Sequence, residues 1–128
     1  MIIDHIIVQA GGKGTRLEYL TNNKPKALVP IDNLPLIFHL FKKYPDKRFI
    51  IIADYMKDVL HEYLACFSKV IYHIVDADGE GTCGGVSKAL KILPEDSSFM
   101  LIWSDLLLPE SFEIPSNLNN YIGLSDSF

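Results

Sequence analysis

The sequence predicts an α/β fold in which an open, mainly parallel sheet carries helices on both faces. Four short apolar runs, at residues 6–8, 49–52, 70–75 and 99–103, are rich in β-branched and aromatic side chains and mostly continuous, the pattern of strands covered on both faces. Helical periodicities separate these runs after the first. A chain of 128 residues, 48% hydrophobic and 22% charged, also suits one core, since a domain commonly takes ~100–200 residues.

Ile6, Ile7 and Val8 open the sheet, and a glycine-rich loop follows them. Leu36, Ile37, Leu40 and Phe41 then recur on one helical face and stop before Pro45. After the run at 49–52, Val59, Leu60, Tyr63, Leu64 and Phe67 make a second stripe. After the run at 70–75, Val86, Ala89, Leu90 and Leu93 make a third ahead of Pro94, predicting a helix over 84–93. Strands alternating with helices of this length imply crossover connections and a parallel sheet. Trp103, in the fourth run, is expected in the core. Beyond Asp105 the chain becomes polar, and Tyr121-Ile122-Gly123-Leu124 reads as the start of another strand. No repeat or Pro/Gly/Ser linker divides the sequence, so residues 1–128 are expected to form one domain.

The net charge of −4 argues against a nucleic-acid-wrapping or anionic-lipid-binding protein, both of which need a basic surface. The charge is uneven: residues 1–64 hold nine Lys/Arg against seven Asp/Glu, and residues 65–128 hold three against nine. That polarity suits an anionic ligand held from one side and a metal from the other, and solvated surface explains it as well. Cys66 and Cys83 show neither CxxC nor zinc-finger spacing, which leaves reduced thiols as the default. The N-terminal stretch lacks the form of a signal peptide, and no apolar run reaches the ~18 residues of a membrane span, so a cytoplasmic protein without membrane partners is expected. His5, His39, His61 and His73 are dispersed and form no motif.

The loop Gln9-Ala10-Gly11-Gly12-Lys13-Gly14-Thr15-Arg16-Leu17 directly follows the first strand. Its glycines let backbone N–H groups approach an anion, and Lys13 and Arg16 add charge that neutralises phosphate. A flexible turn with exposed basic residues is the plainer alternative. The order of residues supplies neither a Walker A loop nor the third glycine of a dinucleotide fingerprint.

Ala-Gly-Gly-x-Gly-Thr-Arg-Leu followed by Lys24-Pro25-Lys26-Ala27-Leu28-Val29-Pro30 resembles the sugar-phosphate nucleotidyltransferases, the NDP-sugar pyrophosphorylases. Gly81-Thr82-Cys83-Gly84-Gly85 stands where that family has a Gly-Thr-Ala-Gly-type loop, and Ser104-Asp105 where it has an Asp ending the fourth strand. The resemblance implies a Rossmann-like three-layer α/β/α fold of the nucleotide-diphospho-sugar transferase type, with this chain as the N-terminal portion of a longer family fold. It implies attack by a sugar 1-phosphate oxygen on the α-phosphorus of a nucleoside triphosphate, with pyrophosphate leaving and an NDP-sugar forming. Surface polysaccharide precursor synthesis is the process implied, and a homo-oligomer is compatible with it.

By the same resemblance, Arg16 and Lys26 are the catalytic cations, Arg16 on the β- and γ-phosphates and Lys26 near the reacting centre. Gln9, Ala10, Gly11, Gly12, Lys13, Gly14, Thr15, Arg16, Gly81 and Thr82 hold the nucleotide, with main-chain groups of Gln9 and Ala10 toward the base. Asp105 is the expected ligand of Mg²⁺ or Mn²⁺, hard ions that prefer carboxylate and phosphate oxygens. Cys83 is expected to pack as a small residue. The acidic stretch Asp76-Ala77-Asp78-Gly79-Glu80 offers acceptors to a base amino group or forms a solvated turn. The family's acceptor half and its second metal carboxylate have no counterpart after Asp105. The alternative is therefore a non-catalytic nucleotide-binding or regulatory module.

Overall fold

A computed structural model describes residues 3–12, 21–116 and 119–123. Its elements follow the expected order: β1 (His5–Gln9), a 3₁₀ turn (Lys26–Leu28), β2 (Pro30–Ile31), β3 (Leu34–Pro35), α1 (Leu36–Lys43), β4 (Arg48–Ala53), α2 (Lys57–Phe67), β5 (Ile71–Asp76), α3 (Gly81–Leu90) and β6 (Phe99–Trp103). The main sheet has four parallel strands in the order β5-β4-β1-β6. From β1 the chain moves outward through β4 to β5, and α3 then carries it back to β6 on the other side of β1.

The runs of β1 and β4 are continuous because both faces are covered, whereas the edge strands β5 and β6, expected to be covered as well, leave Ile71 and Phe99 exposed. Ile6, Val8, Phe49 and Ile51 pack on one face with Ile37, Leu40 and Phe41 of α1 and Leu60 and Leu64 of α2. Ile7, Ile50, Ile52 and Val75 pack on the other with Ala77 and Ala89, joined by Val86 and Leu93 around α3. Rings tie the first layer together: Phe41 lies edge-on to Phe49 at 4.7 Å, and Phe38 edge-on to Tyr63 at 5.6 Å.

The α3 layer approaches closely because Gly85 is buried against the sheet. A Cβ there would run into the Ile52 side chain, which is fully enclosed. α3 itself starts at Gly81 and ends at Leu90, three residues earlier at each end than the stripe predicts. The glycines of its first turns hide this start, since they carry no apolar side chain to mark a face. Ahead of it, Asp78 (φ 52°) and Gly79 (φ 76°) form a tight turn closed by the Glu80 N–H donating to the Ala77 carbonyl at 3.0 Å. Lys57 of α2 and Lys88 of α3 clamp Asp78 from two sides, at 3.3 and 3.2 Å, and Lys88 also donates to the Asp76 carbonyl at 3.1 Å. Hydrogen bonds from Lys88 and Lys57 hold the Asp78 carboxyl below its usual range, and the bond to Asp78 raises each lysine.

Three features depart from expectation. The β2–β3 hairpin turns on Asp32 and Asn33, both left-handed with φ 52° and 63°, a two-residue turn that short polar side chains tolerate. Of the strand start expected at Tyr121-Ile122-Gly123-Leu124, Leu124 lies outside the described residues and Tyr121–Gly123 form no strand, with Ile122 88% exposed. Trp103 is 46% exposed, since it ends an edge strand where the covering layers stop.

Two outcomes follow from this packing. Gly85→Ala, which in an open helix position would gain roughly 1 kcal/mol, is expected to cost about 1–3 kcal/mol in urea unfolding, because the added methyl overpacks against Ile52; an unchanged or higher midpoint would contradict the close approach. Asp78 is expected to titrate below 3.8 by NMR, and Lys88→Met to move it upward. The stabilisation from its ionised form is present above the unfolded-state value and is lost as pH falls through the depressed one.

Candidate functional site

β1 is the strand at which the connections change direction, and the carboxyl ends flanking such a strand are where open α/β sheets form ligand crevices. A crevice of about 260 Å³ lies there, lined by Gln9, Gly11, Gly12, Lys26, Asp54, Ala77, Gly81, Thr82, Trp103, Ser104 and Asp105. Its residues arrive from the ends of all four main strands, from the 3₁₀ turn and from the first turn of α3. Asp105 follows β6 on one side of β1, and Asp54 follows β4 on the other.

The charged end is built by two residues 79 positions apart. Lys26 Nζ donates to Asp105 Oδ2 at 2.8 Å. The lysine is set by its neighbours: Pro25 and Ala27 are buried, and the Leu28 N–H donates to the Pro25 carbonyl at 3.0 Å, so the turn is anchored and Lys26 reaches outward. Asp105 is set by β6, whose pairing with β1 extends one residue further through the Ser104 N–H donating to the Gln9 carbonyl at 3.1 Å. Both side chains keep solvent contact, 27% and 39% exposed. An ion pair of this kind contributes no more than ~1 kcal/mol and exchanges readily for a ligand.

The glycine loop begins in the middle of the crevice. Gly11 sits where a Cβ would be 3.1 Å from Gln9 Oε1 and 3.2 Å from the Asp54 Cβ, so a side chain there would crowd both walls. Its N–H donates to Gln9 Oε1 at 3.0 Å, which leaves the Gln9 amide nitrogen as the group available to a ligand. Part of the main chain expected to face a base is paired: the Ala10 N–H donates to the Ile52 carbonyl at 2.9 Å, and the Gln9 carbonyl accepts from the Ser104 N–H. Ala10 is buried and does not line the crevice.

Of the residues expected at the site, Gln9, Gly11, Gly12, Lys26, Gly81, Thr82 and Asp105 come together here. Gly81 and Thr82 do so from the first turn of α3, with Gly81 at φ 78°. Lys13, Gly14, Thr15 and Arg16 lie outside the described residues. Cys83, expected to pack, is exposed. Asp54 was not expected. Its signal is the one that marks Asp105, a carboxylate directly after a continuous apolar strand run, but no motif surrounds it.

A hard divalent cation commonly takes one or two protein carboxylates and completes its shell with phosphate oxygens and water. Asp105 beside the glycine loop fits that donor set. Among the described residues no three His, Cys, Asp or Glu side chains form a self-contained metal cage. Among the described residues no helix is long and apolar enough to cross a membrane.

The chain is similar to several known proteins. The bifunctional protein GlmU of Methanococcus maripaludis is 29% identical over 122 residues, covering 94% of this chain and 29% of that protein. Glucose-1-phosphate cytidylyltransferase of Salmonella typhimurium is 28% identical over 126 residues, covering 77% of this chain and 49% of that one. The crystal structure of HddC from Yersinia pseudotuberculosis complexed with GMP-PN superimposes with a TM-score of 0.69 at 27% identity, covering 80% of this chain and 48% of that one. The chain thus spans between about a third and a half of the length of these relatives. Residues 5–118 match the nucleotidyl transferase family model, and the chain belongs to the nucleotidyl transferase family.

Proposed function

We propose that this chain supplies the nucleotide-binding half of an enzyme that transfers a nucleoside monophosphate from a nucleoside triphosphate to a sugar 1-phosphate. The observation that carries this reading is the convergence of Lys26 and Asp105 at 2.8 Å beside the glycine loop, from separate motifs and at the ligand-binding edge of the sheet. Relatives named for glucose-1-phosphate cytidylyl and mannose-1-phosphate guanyl transfer support the acceptor class.

In this reading Gly11 and Gly12, with Lys13, Gly14, Thr15 and Arg16 that follow, cradle the triphosphate, and Arg16 neutralises the β- and γ-phosphates. Lys26 leaves Asp105 for the α-phosphate and stabilises charge there as the sugar phosphate oxygen forms its bond to phosphorus and the bond to the β-phosphate breaks. No covalent intermediate with the protein is needed, so orientation and charge neutralisation do the catalysis. Asp105, released by Lys26, holds Mg²⁺ or Mn²⁺, which when bound supplies positive charge to the phosphates. Gly81 and Thr82 border the nucleoside. The exchange is cheap because the ion pair it breaks is weak and half solvated.

A second reading, a nucleotide-binding module without turnover, is favoured by the size of the crevice. Its volume of about 260 Å³ lies at or below the ~300–1,000 Å³ of typical small-molecule sites, which suits part of a nucleotide rather than two substrates together.

Calorimetry with each of the four NTPs plus dTTP in Mg²⁺, alongside pyrophosphate release with a panel of sugar 1-phosphates, tests both. Nucleotide binding with release supports the enzyme, binding without release supports the module, and no binding contradicts both. Lys26→Ala is expected to weaken nucleotide binding about tenfold or more, the worth of a charge-assisted hydrogen bond. Chelating the divalent ion is expected to weaken binding in the wild type and to make little difference in Asp105→Asn; an equal effect in both would remove Asp105 as the metal ligand.

A further inference from the structure

Asp54 lines the crevice without a role in the reading above. Its backbone carbonyl accepts the Lys57 N–H at 3.2 Å, and its Oδ2 accepts the Gly79 N–H at 3.2 Å, so both main chain and side chain are held. Gly11 packs against its Cβ, which closes the direction toward the glycine loop. The second oxygen, Oδ1, has no hydrogen-bond partner among the described residues. Two lysines among the described residues of this region are taken elsewhere: Lys57 pairs with Asp76 and Asp78, and Lys88 with Asp78 and Glu80. A fixed carboxylate on a ligand crevice, unpaired on one oxygen, is an acceptor waiting for a donor.

The placement says which part of a ligand supplies that donor. Lys26, the described cation of the crevice, and the proposed metal ligand Asp105 lie on the β6 side of β1, and the glycine loop rises between them and Asp54, whose charge would repel a phosphate placed against it. Asp54 lies across β1, with Ala77, Gly81 and Thr82 from the β5 side as its companions on the crevice wall. We propose that Asp54 is a nucleoside-recognition residue whose Oδ1 accepts a hydrogen bond from an N–H or O–H donor of the bound nucleoside, a base amino or imino group or a ribose hydroxyl. Gln9, its amide oxygen taken by the Gly11 N–H, faces the same ligand as a donor, so the pair offers one fixed acceptor and one fixed donor. The inference rests on the crevice being a nucleotide site.

The test compares wild type, Asp54→Ala and Asp54→Asn in binding ATP, GTP, CTP, UTP and inorganic tripolyphosphate, all with Mg²⁺. Asn keeps one oxygen for the Gly79 N–H and turns an NH₂ toward the ligand, so it preserves the tether and removes the acceptor. Both variants are expected to lose about tenfold or more on the tightest-binding nucleotide, with tripolyphosphate affinity within about twofold of wild type and the Asn variant melting as wild type does. Wild-type nucleotide affinity in Asp54→Asn, or an equal loss for tripolyphosphate, would overturn the inference, because Asp54 would then only brace the loop. Failure of wild type to bind either nucleotide or tripolyphosphate would instead remove the nucleotide site itself. The 2′- and 3′-deoxy forms locate the donor: a ribose hydroxyl makes the deoxy form insensitive to the substitution, and a base N–H leaves the tenfold loss in place.

Discussion

The crevice depends on β1 being paired on both edges and covered on both faces. Ile6, Ile7 and Val8 are fully buried, β4 and β6 hold the strand in parallel register on either side, and the ladder stops at the glycine loop. Past Gln9 the buried Ala10 prolongs the ladder by one N–H donated to the Ile52 carbonyl, and the glycine loop begins at the next residue. Everything placed at the mouth inherits its position from this strand. Asp105 is set by register across β6, Asp54 by register across β4, and Gly11 by direct continuation.

The glycines have separate purposes that one phosphate-loop motif would conceal. Gly11 is favoured by proximity, since a Cβ there would crowd Gln9 and Asp54, whereas a Cβ at Gly12 would meet nothing among the described residues. Gly85 acts away from the ligand, bringing α3 against Ile52 so that the first turn of the helix reaches the crevice. A helix standing further off would leave Gly81 and Thr82 outside. The clamp of Lys57 and Lys88 on Asp78 holds the turn that launches α3, which links the surface charge of this region to the shape of the site.

The central strands β1 and β4 and the three helices were legible because burial on both sheet faces and on one helical face leaves distinct apolar patterns, and the edge strands β5 and β6 were legible from their β-branched and aromatic content although much of it is exposed. Sheet order was not, since β1, β4 and β6 carry equally continuous runs and nothing local says which is central. Lys26 and Asp105 were each readable from motifs, but their contact depends on the β1–β6 register and on the anchoring of the 3₁₀ turn by Pro25 and Ala27. Asp54 escaped because a lone Asp after a strand reads as a turn former, and only the Gly79 and Gly11 contacts distinguish it. Sequence likewise does not reveal that the Ala10 N–H is paired with the Ile52 carbonyl or that the Gln9 carbonyl accepts from the Ser104 N–H.

On the proposed function, a metal-bound nucleoside triphosphate sits across the end of β1. Backbone amide shifts measured while a non-hydrolysable triphosphate analogue and Mg²⁺ are titrated into isotope-labelled protein would address it most directly. The account predicts the largest perturbations at Gly11, Gly12, Gly81, Thr82, Ser104 and Asp105, with the β2–β3 hairpin unchanged. Perturbations concentrated away from these residues, or none at saturating ligand, would contradict it.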